Sequence, residues 1–151
     1  MNKLIFDKVS QRMKDKKLSF SFREDMIHLD MGMRGTIGTL HMIIDIQDDM
    51  VVSYAILPNQ VPEEKRAVVG EYLHRANYGV QRGNFEMDFN DGEVRYKLAA
   101  DIYDPRTITN KLVDLLILIP CLMFKRYGEG VMKLIYGDGI PEKLIAEIEG
   151  N

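Results

Sequence analysis

Residues 82–99 read RGNFEMDFNDGEVRYKLA, in which apolar and polar residues alternate on both sides of Asp91-Gly92. Aspartate followed by glycine is preferred at the two central positions of a type I′ turn, where φ is positive. The stretch therefore predicts a β-hairpin with a two-residue turn. Its apolar face carries Phe85, Met87, Phe89, Val94, Tyr96 and Leu98. Its polar face carries two opposite-charge pairs, Asp88–Arg95 and Glu86–Lys97.

The same turn makes a prediction for Gly92. Valine there is expected to cost more than about 1 kcal/mol, because a β-branched residue resists positive φ, whereas asparagine is expected to be tolerated.

Hydrophobic periodicity and turn residues predict the remaining elements. Pro62 favours a helix start, Gly79 a helix end, and Thr107 or Thr109 can cap the third helix. The predicted elements are a helix over about 4–17, a strand around 20–31 with an irregularity near Glu24-Asp25, strands over 39–46 and 50–57, a helix over 62–79, the hairpin, a helix through 115–124 and a short helix over 141–149.

Three residues are expected to interrupt the third helix. Pro120 removes one backbone hydrogen bond and predicts a kink or break, and Gly128 and Gly130 predict a second interruption.

The order of elements indicates the fold class. Strands grouped in hairpins favour an antiparallel α+β fold over a doubly wound parallel sheet. We expect a sheet of about five strands flanked by helices in the order α-βββ-α-ββ-α, within a single domain covering residues 1–151.

Composition disfavours several classes of function. The net charge is −3, so the chain has no general attraction to nucleic acid or anionic lipid, and the six basic residues between Lys3 and Lys17 are the only support for nucleic-acid binding. The apolar run 115–124 is too short to span a bilayer, and Leu4-Ile5-Phe6 is too short for a signal peptide. We therefore expect a cytoplasmic protein that binds neither nucleic acid nor membrane.

The chain has few residues of the types that carry out catalysis or bind metals, with three histidines and one cysteine. His28 and His41 could share one face of neighbouring strands and hold a transition metal, but the alternation places them on the polar side without a carboxylate spacing to complete a site. His74 is expected at the surface, and Cys121 buried and unreactive. No catalytic, metal or cofactor residue is predicted, and we expect no enzyme activity.

Apolar residues beyond the needs of one core provide the candidate interaction surface. Five of the ten methionines lie in one stretch of 25 residues, and thioether side chains suit adaptable binding surfaces, although a place in the core is the favoured interpretation for Met31 and Met42. The run 115–124 has more apolar residues than one helix stripe needs, which predicts a homodimer. The candidate partner-binding or interface residues are Met31, Met33, Met42, Leu115, Leu118 and Leu122.

Three segments carry a family resemblance: Tyr72-Leu73-His74-Arg75-Ala76-Asn77, Gly83-Asn84-Phe85-Glu86-Met87-Asp88 and Asp91-Gly92-Glu93-Val94-Arg95-Tyr96. Over roughly residues 18–148 the chain resembles the YbjN-like family, bacterial proteins described as regulators of sensory transduction. Their fold is similar to that of the small dimeric type III secretion chaperones. The resemblance implies a helix-flanked antiparallel sheet, frequent homodimers and no established catalytic residues.

Two functions remain open. One is a non-enzymatic interaction module, chaperone-like or regulatory, that acts as a homodimer and binds a segment of a partner protein. The alternative is a small-ligand-binding domain with a pocket between the sheet and the third helix. Exposed methionines would favour the first function, and an enclosed, polar-lined cavity the second.

Overall fold

The computed structural model describes residues 1–150, which form an antiparallel sheet packed against four helices. The strands are β1 (Ser21–Arg23), β2 (Met26–Gly32), β3 (Thr39–Ile46), β4 (Met50–Ile56), β5 (Asn84–Met87) and β6 (Val94–Asp101). The helices are α1 (Lys3–Asp15), α2 (Arg66–Gly79), α3 (Asn110–Tyr136) and α4 (Pro141–Glu149). The strand order is β1-β2-β3-β4-β6-β5. The predicted antiparallel α+β class is confirmed, with six strands instead of about five.

The hydrophobic core lies on one face of the sheet. Alternate side chains such as Ile27, Met42 and Tyr96 are buried there against the helices. Within residues 1–150, no side chain of the opposite face belongs to this core, and we call that face the open face of the sheet.

The additional strand arises where an irregularity was predicted. Glu24 and Asp25 have φ of 51° and 60°, and the flanking residues Arg23 and Met26 pair directly, so the chain reverses in a two-residue turn. Positive φ at both central positions is the type I′ conformation. The sequence does not signal this turn, because neither residue is glycine.

The predicted hairpin over residues 82–99 forms, but its register differs by two residues. Phe85 pairs with Tyr96 and Glu86 with Arg95. A shift of two keeps every residue on its predicted face, since side chains alternate with a period of two. Phe89 falls outside the strand and is 59% exposed.

The polar pairs change with the register. Glu86 accepts a hydrogen bond from Arg95 Nε at 2.8 Å and also pairs with Lys97. Asp88 does not meet Arg95 and instead accepts from the backbone N–H of Asn90 at 2.8 Å. One of the two predicted charge pairs therefore forms, and the other is replaced by a turn.

The loop between β5 and β6 covers residues 88–93 instead of the predicted two-residue turn, and the backbone of Val61 explains its length. The Val61 N–H donates to the carbonyl of Gly92 at 2.9 Å, and the Gly92 N–H donates to the carbonyl of Asp88 at 2.8 Å. Gly92 has φ +81°, and a Cβ there would overlap the Val61 carbonyl. The expectation that asparagine is tolerated at this position is wrong, because any side chain meets that backbone.

Helix α3 is continuous over 27 residues, so the predicted interruption at Gly128 and Gly130 is wrong. Of the kink or break predicted at Pro120, the break is wrong. Tertiary packing explains both glycines. A Cβ at Gly130 would overlap the hydroxyl of Tyr72, and one at Gly128 would lie 2.8 Å from Ile37 Cδ1. The glycines therefore let α2 and the loop before β3 approach α3 closely. No helix in residues 1–150 combines the length and apolarity needed to cross a membrane.

Candidate functional site

A groove of about 300 Å³ lies where the end of α1, strand β2 and helix α3 meet. We call it the α1–α3 groove. Its walls are mainly apolar and are formed by Leu18, Met31, Ile117, Leu118 and Cys121. Its rim carries the charged side chains of Arg12, Lys16 and Asp114.

The rim is held by a two-point ion pair between α1 and α3. Arg12 Nε lies 2.8 Å from Asp114 Oδ1, and Arg12 Nη2 lies 2.5 Å from Oδ2. Lys16 Nζ is 3.8 Å from the same carboxylate. The hydrogen bonds from Arg12 lower the pKa of Asp114, which stays ionised near neutral pH. This pair fixes the distance between the two walls of the groove.

The outward side of α3 forms an apolar ridge beside the groove. Leu118 is 50% exposed, Leu122 is 42% exposed and Leu115 is half-buried. Residues three and four apart lie on one side of a helix, so these three leucines form one line, which we call the α3 ridge. They are the same leucines that the sequence predicts as interface residues.

A second groove, also of about 300 Å³, lies on the other side of the α3 ridge. Ile119 and Met123 of α3 face the segment after α2 across this groove, and Arg82 and Arg126 border it. The α3 ridge is therefore flanked by two grooves.

The structure separates the three predicted methionines. Met42 is fully buried in the core, with its Sδ 3.7 Å from Cys121 Sγ, and has no surface to offer a partner. Met31 is half-buried and lines the α1–α3 groove, while Met33 is half-buried against the core. Of the methionine cluster, only Met31 contributes to the α1–α3 groove or the α3 ridge.

Cys121 lies at the base of the α1–α3 groove. It is buried, and burial raises the pKa of its thiol to about 11. A thiol with this pKa is almost wholly protonated at neutral pH, so it has little nucleophilic character.

The open face of the sheet carries a chain of three titratable side chains. His41 Nδ1 lies 2.8 Å from Asp30 Oδ1, and His41 Nε2 lies 3.1 Å from His28 Nδ1. The predicted sharing of one face by the two histidines is confirmed. Sequence reasoning missed Asp30, although the two-residue period of the strand places it on the same face as His28. Its position opposite His41 is set by the register of β2 and β3.

His28 occupies the buried end of this chain. It is 7% exposed, and its Nε2 has no hydrogen-bond partner within residues 1–150. Burial, the nearby Arg23 guanidinium and His41 lower the pKa of His28. Within residues 1–150, no group of three histidine, cysteine or carboxylate side chains is placed to hold a metal ion.

Comparisons with known proteins bear on the fold. No family model and no curated protein matches the chain. A solved structure, that of YbjN from E. coli, matches with a TM-score of 0.53 over 96% of this chain and 93% of that chain, at 14% identity. The chain has a YbjN-like fold. The fold implied by the sequence resemblance is thus confirmed. The matched YbjN structure is described as that of a proposed transcription regulator. At 14% identity, the likeness shows the fold alone.

Proposed function

We propose that this YbjN-like chain is a non-enzymatic interaction module, regulatory or chaperone-like, that binds a segment of a partner protein. The observation that carries the proposal is the α3 ridge, an exposed line of leucines with a groove on each side. Exposed apolar surface of this kind is typical of protein-binding sites. The regulator description of YbjN agrees with such a role.

A small-ligand-binding domain is the second candidate, because the α1–α3 groove lies between the sheet and the third helix. A specific small-molecule site usually encloses its ligand and presents a few converging polar groups. This groove is open to solvent, its walls are apolar, and the rim charges Arg12 and Asp114 already pair with each other. These features favour a protein segment over a small polar ligand.

We also propose a homodimer, but on a different surface from the one the sequence suggested. Most of the apolar run in α3 is covered by the protein's own core, which leaves only the α3 ridge. The open face of the sheet offers half-buried Ile43, Tyr54 and Ile56, with charges of both signs around them. Mixed charges suit a twofold contact, in which each surface meets its own copy.

Photo-crosslinking in the native host tests partner binding. A photoreactive phenylalanine analogue placed at Leu118 or Leu122 is expected to give a discrete adduct with another protein, identified by mass spectrometry. The same analogue at Tyr103, which is 95% exposed and lies outside α3, is the control. The proposal fails if the ridge positions give no adduct, or the same adducts as the control.

Sedimentation equilibrium at micromolar concentrations tests the homodimer. The wild-type protein is expected at twice the mass of 17.4 kDa, and Ile56→Lys at the monomer mass. Leu118→Lys is expected to remain dimeric. A monomer mass for the wild type throughout contradicts the homodimer, and a monomer only for Leu118→Lys would return the interface to α3.

A further inference from the structure

We infer that the α3 ridge binds an acidic amphipathic helix of the partner protein, held by the lysine and arginine side chains that border the ridge leucines. The inference rests on the proposed function and specifies the chemistry of the partner. It follows from the distribution of charge around α3 and from the shape of the surface.

The charge around the α3 ridge is opposite in sign to that of the whole chain. The net charge of the protein is −3, yet the exposed side of α3 carries basic side chains at both ends of the ridge. These are Lys111 before the ridge and Lys125 and Arg126 after it, while Lys133 follows about three turns beyond Leu122 on α3. None of the four forms a salt bridge within residues 1–150.

The two carboxylates on this side of α3 are already engaged. Asp114 pairs with Arg12 and Lys16 at the groove rim. Glu129 accepts hydrogen bonds from the backbone N–H of Thr36 at 2.9 Å and from the Thr36 hydroxyl at 2.6 Å, and these bonds lower its pKa. The basic side chains therefore outnumber the carboxylates on this surface, and they suit partner carboxylates.

The shape of the surface favours a helix. Lys111 and Lys125 are 14 residues apart, which is about 21 Å along α3, or roughly four turns of a facing helix. Helices pack by placing the side-chain ridges of one into the grooves of the other. The grooves on both sides of the α3 ridge can receive apolar side chains spaced three and four residues apart on the partner.

Two other occupants fit less well. A second copy of this chain would bring two basic surfaces together, and like charges that face each other oppose binding. An anionic membrane would neutralise the lysines, but a broad lipid surface leaves grooves on both sides of a protruding ridge unfilled. An acidic helix satisfies both the charge and the shape.

The test uses a fluorescein-labelled, 18-residue helical peptide. Its leucines are spaced alternately three and four residues apart, so that they form one face of the helix, and glutamates occupy the opposite face. A matched peptide has lysine in place of every glutamate. By fluorescence anisotropy, the glutamate peptide is expected to bind and the lysine peptide to bind at least tenfold more weakly. The affinity for the glutamate peptide should fall as salt is raised, because the contacts between charges are screened.

Variants locate the binding surface. Leu118→Ser and the double variant Lys125→Glu/Arg126→Glu are each expected to weaken binding of the glutamate peptide at least tenfold. Lys143→Glu, a charge reversal at an exposed position on α4, is the control and should leave binding unchanged. Circular dichroism spectra and thermal melts of all variants show whether each is folded.

Several results would overturn the inference. One is equal affinity for the two peptides, and another is an unchanged affinity in the Lys125→Glu/Arg126→Glu variant. Binding to phosphatidylglycerol vesicles without binding to the glutamate peptide would make the surface a membrane contact instead. If Leu118 forms specific cross-links in cells but the glutamate peptide does not bind, the proposed function stands and this inference fails. If neither occurs, both fail.

Discussion

Within residues 115–124, the inward and outward sides of α3 look equally apolar in the sequence but have different environments. On the inward side, Leu116 and Phe124 are almost fully buried, and Gly130 lies against Tyr72. On the outward side, Leu118 and Leu122 remain about half exposed. An apolar run is therefore not by itself a sign of a dimer interface, because most of this run stabilises the chain's own core. The part that can serve binding is the narrow line left exposed.

The largest expected effect is a difference in the free energy of unfolding between alanine variants of two leucines in α3. Leu116→Ala should lower the free energy of unfolding by about 2–5 kcal/mol, because it leaves a cavity at a site that is 2% exposed. Leu118→Ala should change it by less than about 0.5 kcal/mol. Urea denaturation of both variants measures the difference. Equal losses would mean that Leu118 is also part of the core.

The next prediction compares the stability of alanine variants at the two glycines on the inward side of α3. Gly130→Ala should cost about 1–3 kcal/mol, because its Cβ displaces the buried Tyr72 ring, whose hydroxyl donates to the Tyr127 carbonyl at 2.8 Å. Gly128→Ala is the matched control. Its Cβ would lie 2.8 Å from the end of the Ile37 side chain and 3.3 Å from the Phe124 ring, which is a smaller overlap than that with Tyr72. Gly128→Ala should therefore cost less than Gly130→Ala, and alanine gains up to about 1 kcal/mol of helix propensity over glycine. Thermal melts in which both variants lose the same stability would show that α2 does not pack closely at Gly130.

A third test asks whether a side chain can be buried on a face that no helix covers. The pKa of His28 is lowered, so below about pH 6.5 the unfolded chain binds a proton there that the folded protein does not. The contribution of His28 to the free energy of unfolding should therefore be lost as the pH falls from about 6.5 to its lower folded pKa. Above pH 6.5 it should be constant.

Chemical denaturation at a series of pH values checks this sign. His28→Gln should lose less stability than the wild type over the acidic window, while His74→Gln, exposed on α2, should keep the wild-type slope. A His28→Gln variant with the wild-type slope would mean that His28 is not buried.

The last prediction concerns the reactivity of Cys121, which lies between the inward and outward sides of α3 and has no expected effect on stability. Cys121 lines the α1–α3 groove but is buried, with a pKa of about 11. At pH 8 its thiol should react with a disulfide reagent roughly a hundredfold more slowly in the folded protein than in denaturant, because so little is thiolate. Equal rates would show that the groove opens into the core under native conditions.

Much of the fold could be predicted from local signals. The alternation around Asp91-Gly92 gave the correct faces of the hairpin, and the grouping of strands indicated the antiparallel class. The register could not be predicted, because a period of two does not distinguish positions two residues apart. The deciding contact, from Val61 to Gly92, joins residues 31 apart in the sequence.

The candidate site was predictable only in part. The three ridge leucines were correctly placed on one helix, but Met42 was grouped with them although it lies in the core. The α1–α3 groove could not be predicted, because it depends on how α1 and β2 dock beside α3. Pro120 and the two glycines suggested an interrupted helix, since their packing partners in other elements are invisible to local propensity.

The ion pair between Arg12 and Asp114 has a consequence for folding. It joins residues 102 positions apart in a chain of 151, so the contact can form only when α1 and α3 meet across a long intervening segment. Closure of so long a loop is slow compared with local hairpin formation. During synthesis, α1 and α3 can pair only after α3 has been made. The α1–α3 groove therefore cannot form on a nascent chain before Asp114 and the rest of its α3 wall have been synthesised.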